Sequence, residues 1–325
     1  MSTQGQSLVT IDKERRIGAA LSVSMKIANA KFGGKRFKFW HLDANAGSGW
    51  NDEVSVPGSP VVFWQAARQY LPDMIPAPFF CDHTQDTMKA LQRQLDDDAR
   101  AQSFLIPGDN EEAIDVFAES IRRSGENPGY AVGTMLIDPN GYFYRSADGT
   151  GAPVKPLQWF CREFPRIDLI LNLNMRTFHM QRAHGHAVLP PREVLNGLGK
   201  SNWLVCQARR GNARFLLAIG RNVSTGDHRS LGLHASTSEI GRAILDAETK
   251  QGTLFDVRDL SGLPRPSGVP RGAVGGVAPD RRALRLRRAS NGGPPPAVSA
   301  LGDVRRAIEP AADLPCLPLS GAREA

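Results

Sequence analysis

The sequence predicts an α/β protein built on a doubly wound, mostly parallel sheet, with an antiparallel hairpin near the C-terminal end of that sheet. Strand-like apolar runs alternate with amphipathic helical segments through residues 1–250, a rhythm typical of parallel sheets covered by helices. The run 131–137 is apolar throughout, as expected of a central strand buried on both faces. Runs 203–208 and 215–219 are joined by a short turn segment, which favours the hairpin.

The elements follow one another in a regular order. The predicted strands cover residues 37–42, 79–81, 103–106, 131–137, 167–173, 203–208 and 215–219. The predicted helices cover residues 17–30, 61–70, 111–123, 156–163 and 238–250. One more helix is predicted between the second and third of these, with Met88, Leu91 and Leu95 on one face. Ser59 is expected to cap the second helix, and Pro60 suits its first turn.

The composition changes after residue 250. Residues 251–325 hold 10 Gly, 10 Pro, 11 Arg and no Lys, and no aromatic residue follows Phe255. We expect a folded domain over residues 1–250 and a disordered tail over 251–325. The Arg-rich stretch 281–288 is interpretable as a nucleic-acid arm, with a plain disordered extension or an out-of-frame translation as the alternatives.

Several classes of protein are disfavoured at this point. No apolar run approaches the ~20 residues of a membrane helix, and the first 16 residues lack a signal-peptide core. The four cysteines are scattered without C-x-x-C spacing, so neither disulfides nor a zinc site is predicted. A cytoplasmic protein without membrane contact is therefore expected.

Acidic residues stand at the ends of four predicted strands. They are Asp43, Asp82, Asp109 and Asp138. In an open α/β sheet, ligands bind outside the carboxyl ends of the strands. We therefore expect these four residues to come together at one edge of the sheet and to line a ligand site.

The chemistry of these strand ends favours a nucleoside ligand. Glycines in the loop 43–49 allow close approach of the backbone, Asp82 suits ribose hydroxyls, and Asp109 or Asn110 suits an adenine edge. The loop is neither G-x-G-x-x-G nor a P-loop, and Asp43 would repel phosphate but pair with an ammonium group. This favours S-adenosylmethionine over NAD or ATP. The alternative is that the loop is only a tight strand–helix turn.

The segment Asp138-Pro139-Asn140-Gly-Tyr142 is the second informative motif. Many amino methyltransferases carry an acid or Asn, then Pro, then an aromatic residue at this strand end. The polar groups accept hydrogen bonds from the target amine, and the aromatic ring stacks on an extruded base. Pro-Asn-Gly is also a good turn sequence, which is the alternative interpretation.

Two motifs resemble those of the three-Cys-motif partner (TcmP) family. Residues 41–49 followed by Gly58-Ser59-Pro60 resemble the family's opening, and residues 135–139 resemble its F-I-D-P element. The resemblance implies a Rossmann-like class I S-adenosylmethionine-dependent methyltransferase over roughly residues 20–250. The implied cofactor-binding residues are Asp43, Asn45, Gly47, Gly49, Asp82, Asp109 and Asn110; those facing the methyl acceptor are Asp138, Pro139, Asn140 and Tyr142. The sequence departs from the family at Ala44, Asn45 and Asn140.

The expected function is methyl transfer to an amino nitrogen of nucleic acid, with DNA favoured over RNA. The alternative is a catalytically inactive, methyltransferase-like module that binds DNA or a protein partner. Residues 176–186, with Arg176, Arg182 and three histidines, are interpreted as a basic loop beside the site rather than a metal site. Lysines within 26–38, interleaved with aromatic residues, are either a solvated turn or a nucleic-acid contact.

Overall fold

The parallel part of the sheet is set by strands that alternate with helices along the chain. The structure is a computed structural model that describes residues 8–34, 37–52, 55–139, 142, 154–185, 188–210, 213–222 and 232–250. The predicted tail, Asn140 and His186 lie outside the described residues.

Eight strands form the main sheet within the described residues, in the order β10-β8-β9-β7-β6-β1-β4-β5. These strands are β1 (Lys38–Asp43), β4 (Ile75–Asp82), β5 (Phe104–Pro107), β6 (Val132–Ile137), β7 (Ile167–Asn174), β8 (Asn202–Arg210), β9 (Ala213–Arg221) and β10 (His234–Ala235). A separate two-stranded hairpin joins β2 (Trp50–Asn51) to β3 (Val56–Pro57). Strands β5, β4, β1, β6 and β7 are parallel, and β9 and β8 form the predicted antiparallel hairpin beside β7.

Helices cover both faces of this sheet, as continuous apolar strands require. The helices are α1 (Leu8–Phe32), α2 (Ser59–Tyr70), α3 (Gln85–Gln94), α4 (Asp97–Gln102), α5 (Asn110–Arg123), α6 (Val154–Glu163), α7 (Met175–Ala183), α8 (Pro191–Gly197) and α9 (Glu239–Lys250). Residues of α1 to α4 join one buried apolar cluster, and residues of α5, α6, α8 and α9 join the other. β1 contributes Phe39 to the first cluster and Trp40 to the second, as its alternating side chains dictate.

The doubly wound prediction is confirmed, with corrections at two places. The N-cap of α2 is Gly58, not Ser59, because Gly58 packs against the backbone of Gly49, where a Cβ would approach the Gly49 carbonyl carbon to 3.2 Å. The predicted basic loop 176–186 begins as helix α7, because Met175 and Phe178 are buried one turn apart. The Asn174 side chain caps α7 by accepting from Thr177 N–H at 3.1 Å.

None of the described helices combines the length and the apolar character that crossing a bilayer requires.

The centre of the sheet leaves no room for a side chain at Gly133. This residue lies in β6 opposite Trp40 of β1. A Cβ at Gly133 would stand 1.8 Å from the Trp40 carbonyl oxygen, which is fixed backbone. The close approach of these two strands therefore requires glycine.

We predict that Gly133→Ala destabilises the fold by at least about 3 kcal/mol, because overpacking against backbone forces β1 and β6 apart. Urea unfolding followed by circular dichroism measures this. The matched control is Gly197→Ala at the end of α8, where the added Cβ meets only the tip of the Gln158 side chain, at 3.1 Å. Equal stability of the two variants would show that β1 and β6 tolerate a wider spacing.

Candidate functional site

The four acidic residues expected at one edge of the sheet do stand there. β1 ends at Asp43 and β4 ends at Asp82, while Asp138 directly follows β6 and Asp109 follows β5 after one glycine. The strands β5, β4, β1 and β6 are adjacent and parallel, so their carboxyl ends share one edge. We call this edge, with its four acids and the loop 43–49, the acidic rim.

Asn45 ties three loops of the acidic rim together. Its side-chain amide donates to Asn110 Oδ1 at 3.3 Å, and its Oδ1 accepts from the backbone N–H of Asp138 at 3.0 Å. Its own backbone N–H donates to Asp43 Oδ1 at 3.1 Å. The loops that follow β1, β5 and β6 are therefore held in register by one side chain. This cross-linking role requires a side chain at position 45 that can both donate and accept hydrogen bonds.

The glycines of the loop 43–49 shape the backbone beside Asp82. Gly47 has φ +61° and donates its N–H to Asp82 Oδ2 at 3.1 Å. Nothing lies within 4 Å of where a Gly47 Cβ would stand. Gly49 has φ +78°, and a Cβ there would come within 2.5 Å of Leu91 Cδ1. The loop therefore needs glycine for its left-handed backbone at both positions and for close packing at Gly49.

Asp43 is the most strongly perturbed acid of the rim. Its side chain is fully buried, and its Oδ2 has no hydrogen-bond partner among the described residues. Burial raises the pKa of Asp43 to about 7; the Ser59 hydroxyl and the Asn45 amide oppose that rise, and the charges of Asp138 and Glu14 add to it. A nearby cation stabilises the charged carboxylate form of Asp43. Binding of a cationic group beside Asp43 therefore lowers the free energy of the site.

Asp138 already has two partners. Lys13 Nζ lies 2.7 Å from its Oδ2, and Asn172 donates from Nδ2 to its Oδ1 at 2.5 Å. Burial opposes the charge on Lys13, but Asp138 and Glu14 outweigh it and raise the pKa of Lys13 above its usual range. The candidate acceptor-facing carboxylate is therefore one partner in a partly buried ion pair with α1.

Sequence reasoning missed Lys13, Glu14 and Asn172 as members of the site. Asn172 carried a readable signal, since it is a polar residue inside an otherwise apolar strand. Lys13 carried none, because it stands 125 residues from Asp138 on a helix whose register on the sheet is set by packing.

The remaining candidate residues have structural partners. Asp109 caps α5 by accepting from the Glu112 N–H at 2.9 Å, and Asn110 is buried beside it. Pro139 is buried, and the ring of Tyr142 lies in the core with its centroid 5.0 Å from that of Phe178. Their roles toward a cofactor or a methyl acceptor stay predictions. Within the described residues, no cluster of His, Cys, Asp and Glu is arranged to hold a metal ion.

No protein-family model and no curated protein matches this chain. Among solved structures, LPL1258 of Legionella pneumophila has 10% identity and a TM-score of 0.41 over 72% of this chain and 90% of that one. A Listeria monocytogenes protein assigned to the class I S-adenosylmethionine-dependent methyltransferases has 12% identity and a TM-score of 0.38, over 73% of this chain and 70% of that one. A Streptococcus mutans protein assigned as a methyltransferase and solved with SAH has 12% identity and a TM-score of 0.32, over 60% of this chain and 97% of that one.

At these identities and TM-scores the likeness says nothing about activity, so the fold class rests on the sheet itself. Strands β5-β4-β1-β6-β7 follow the doubly wound order 3-2-1-4-5, and the antiparallel β9 and β8 extend it. The chain therefore has a Rossmann-like α/β fold with an antiparallel hairpin at one end of the sheet. Membership of the three-Cys-motif partner family stays a prediction.

We predict that Asp43→Asn stabilises the protein by about 2 kcal/mol at pH 5 and by about twice as much at pH 8. The folded-state pKa of Asp43, about 7, lies above its ordinary value of 3.8. Between pH 3.8 and about 7 the folded protein therefore binds more protons than the unfolded chain. The free energy of unfolding falls as pH rises through this range. By linkage the gain from Asn is up to about 4 kcal/mol at pH 8.

Urea unfolding at pH 5, 6, 7 and 8 measures this difference. Asp115→Asn, an exposed position on α5, serves as the control and is expected to run parallel to the wild type. Parallel curves for Asp43→Asn and the wild type would mean that Asp43 is charged in the folded protein across this range.

Proposed function

We propose that this protein is an S-adenosylmethionine-dependent methyltransferase that acts on an amino nitrogen of nucleic acid. The observation that carries the proposal is the buried Asp43 carboxylate, whose Oδ2 lacks a hydrogen-bond partner among the described residues at the end of the central strand. A ligand with a cationic group supplies what this oxygen lacks, and a phosphate-bearing ligand does not. S-adenosylmethionine carries an ammonium group and no phosphate.

The residues of the acidic rim fit this cofactor by their chemistry. Asp43 would pair with its cationic amino acid end, and the glycine-bearing loop would let the backbone approach it. Asp82 would accept from ribose hydroxyls, and Asn110 would meet the adenine edge. When bound, the cofactor supplies a methyl group activated by its sulfonium, so the protein's task is to bind and orient the two reactants.

The acceptor side of the proposal depends on Asp138 and on α7. Asp138 Oδ1 and Oδ2 are the carboxylate oxygens available to accept from a target amine, in competition with Asn172 and Lys13. Helix α7 begins where β7 ends, on the same edge as Asp138, and presents exposed Arg176 and Arg182. Basic side chains beside an acidic rim are suited to phosphate contacts from a nucleic acid whose base enters the site. We favour DNA over RNA as that nucleic acid.

A second function is favoured by the Lys13–Asp138 ion pair. Because Lys13 already satisfies this carboxylate, the fold serves as a binding module without methyl transfer if the pair never opens. In that case the cofactor site and the basic α7 surface persist while the acceptor position stays closed.

We predict that Asp82→Ala weakens S-adenosylmethionine binding at least tenfold, because Asp82 positions the Gly47 amide and would accept from the ribose. Isothermal titration calorimetry measures the dissociation constant. Asp86→Ala in the first turn of α3 is the matched control and is expected to bind as the wild type does.

In the wild type, affinity for S-adenosylmethionine is expected to rise between pH 5.5 and 7.5, as Asp43 becomes charged near its pKa of about 7. Undetectable binding by the wild-type protein would overturn the proposal.

We predict transfer of a labelled methyl group to double-stranded DNA by the wild type, with loss of transfer in Asp138→Ala and retention in Asp115→Asn. Scintillation counting of DNA, RNA and protein fractions separates the acceptors. Labelling of RNA or protein alone would replace DNA as the acceptor. Cofactor binding without transfer to any fraction would favour the binding module.

A further inference from the structure

A cavity lies at the opposite edge of the sheet from the acidic rim. It occupies about 290 Å³ between the second half of α1 and the starts of β1, β6 and β7. Phe39 lines it near the start of β1, four residues before Asp43, which is about 13 Å along the strand. The cavity is therefore separate from the proposed cofactor site.

The walls of this cavity are mainly apolar. They are formed by Ile27, Ala28 and Phe32 of α1 together with Phe39 and Val132 of the sheet. The volume exceeds the ~150 Å³ of a cavity known to hold a benzene-sized guest. An apolar ring or short chain would replace contacts that these walls otherwise lack.

One end of the cavity is built from a buried polar group. Arg221, the last residue of β9, is only 2% exposed, and its Nε lies 2.8 Å from Asp168 Oδ2. Its Nη2 donates to Ser24 Oγ at 2.7 Å, and Ser24 Oγ donates to Asp168 Oδ2 at 2.8 Å. Nη1, the third nitrogen of the guanidinium, has no hydrogen-bond partner among the described residues, and Nε makes only the ion-pair contact to Asp168. A buried donor without a partner is costly, and it points to a ligand acceptor.

The charges around the cavity favour an anion. Arg221, Arg166 and Lys31 line it, against a single acid, Asp168. Arg166 is held at the opening with its guanidinium carbon 4.5 Å from the ring centre of Tyr130. A planar guanidinium is the preferred partner for carboxylate and phosphate oxygens.

We propose that this cavity binds a small organic anion, a carboxylate or phosphate carried on an apolar group of about one ring in size. The head group accepts from Arg221 Nη1 and meets Arg166 and Lys31, and the apolar group fills the space against Phe39 and Val132. The site is independent of the methyltransferase proposal, because it uses the other edge of the sheet and the opposite charge.

The test is calorimetric titration of the full chain with four probes of the same ring: phenylacetate, phenyl phosphate, benzyl alcohol and benzylamine. Both anions are expected to bind at least tenfold more tightly than the neutral alcohol, and benzylamine is expected to bind least. The stronger of the two anions identifies the head group. Equal binding of the alcohol and the anions, or no binding of either anion, overturns the proposal.

Two variants locate the binding to this cavity without removing the buried ion pair. Arg166→Gln is expected to weaken anion binding several-fold, and Ala28→Leu is expected to abolish it by filling the cavity. Arg93→Gln, on α3 and outside the cavity, is the matched control for loss of one positive charge. Arg221 itself is left intact, because its removal would strand the Asp168 charge in the interior.

Retention of anion affinity in both Arg166→Gln and Ala28→Leu would place any observed binding elsewhere and refute this assignment. S-adenosylmethionine binding, measured on the same variants, is expected to be unchanged. Failure of the anion site and failure of the cofactor site are thus distinguishable.

Discussion

The burial of the Asp43 carboxylate is the constraint on which the acidic rim depends. β1 lies between β4 and β6, and the Asp43 side chain at its end is fully buried. A carboxyl group in that position is either protonated or compensated by a cation, and its pKa near 7 places the two states close together. The Asn45 contacts to Asp138 and Asn110 hold in place the loop that follows Asp43.

Helix α1 connects the two edges of the sheet. Lys13 near its start pairs with Asp138 at the acidic rim, and Ser24, eleven residues later, contacts Arg221 and Asp168 at the other edge. At 1.5 Å per residue the two contacts are about 16 Å apart along the helix. The helix is anchored by a partly buried ion pair at the rim and by the buried Ser24–Arg221 contact at the other edge, and its apolar face packs between them on the sheet. A shift of α1 along its axis would therefore disturb both edges together.

The strand ends of the acidic rim were predictable from sequence because the apolar runs stop at or close to an acid, and parallel strands place their carboxyl ends on one edge. The alternating order also fixed the hairpin at the end of the sheet. The Lys13 and Asn172 contacts were not predictable, since they depend on where helices and strands distant in sequence come to lie. Helix α7 was predicted as a loop because its Arg and His residues outweighed the one-turn spacing of Met175 and Phe178, which indicates a helix. The Gly58 cap was missed because the reason for glycine is a tertiary contact with Gly49.

The two edges of the sheet carry opposite charge, and this limits how a polyanion approaches. Asp82 and Asp109 stand at the rim beside the buried Asp43 and the paired Asp138, and their carboxylates repel phosphate at close range. If the protein acts on nucleic acid as proposed, the backbone would have to be held to one side, where α7 presents Arg176 and Arg182, while a neutral base enters alone. Opening of the Lys13–Asp138 pair would leave the rim more acidic, which would favour an amine over the backbone. Under that proposal, the sign of charge on neighbouring elements would separate binding of the backbone from choice of the acceptor.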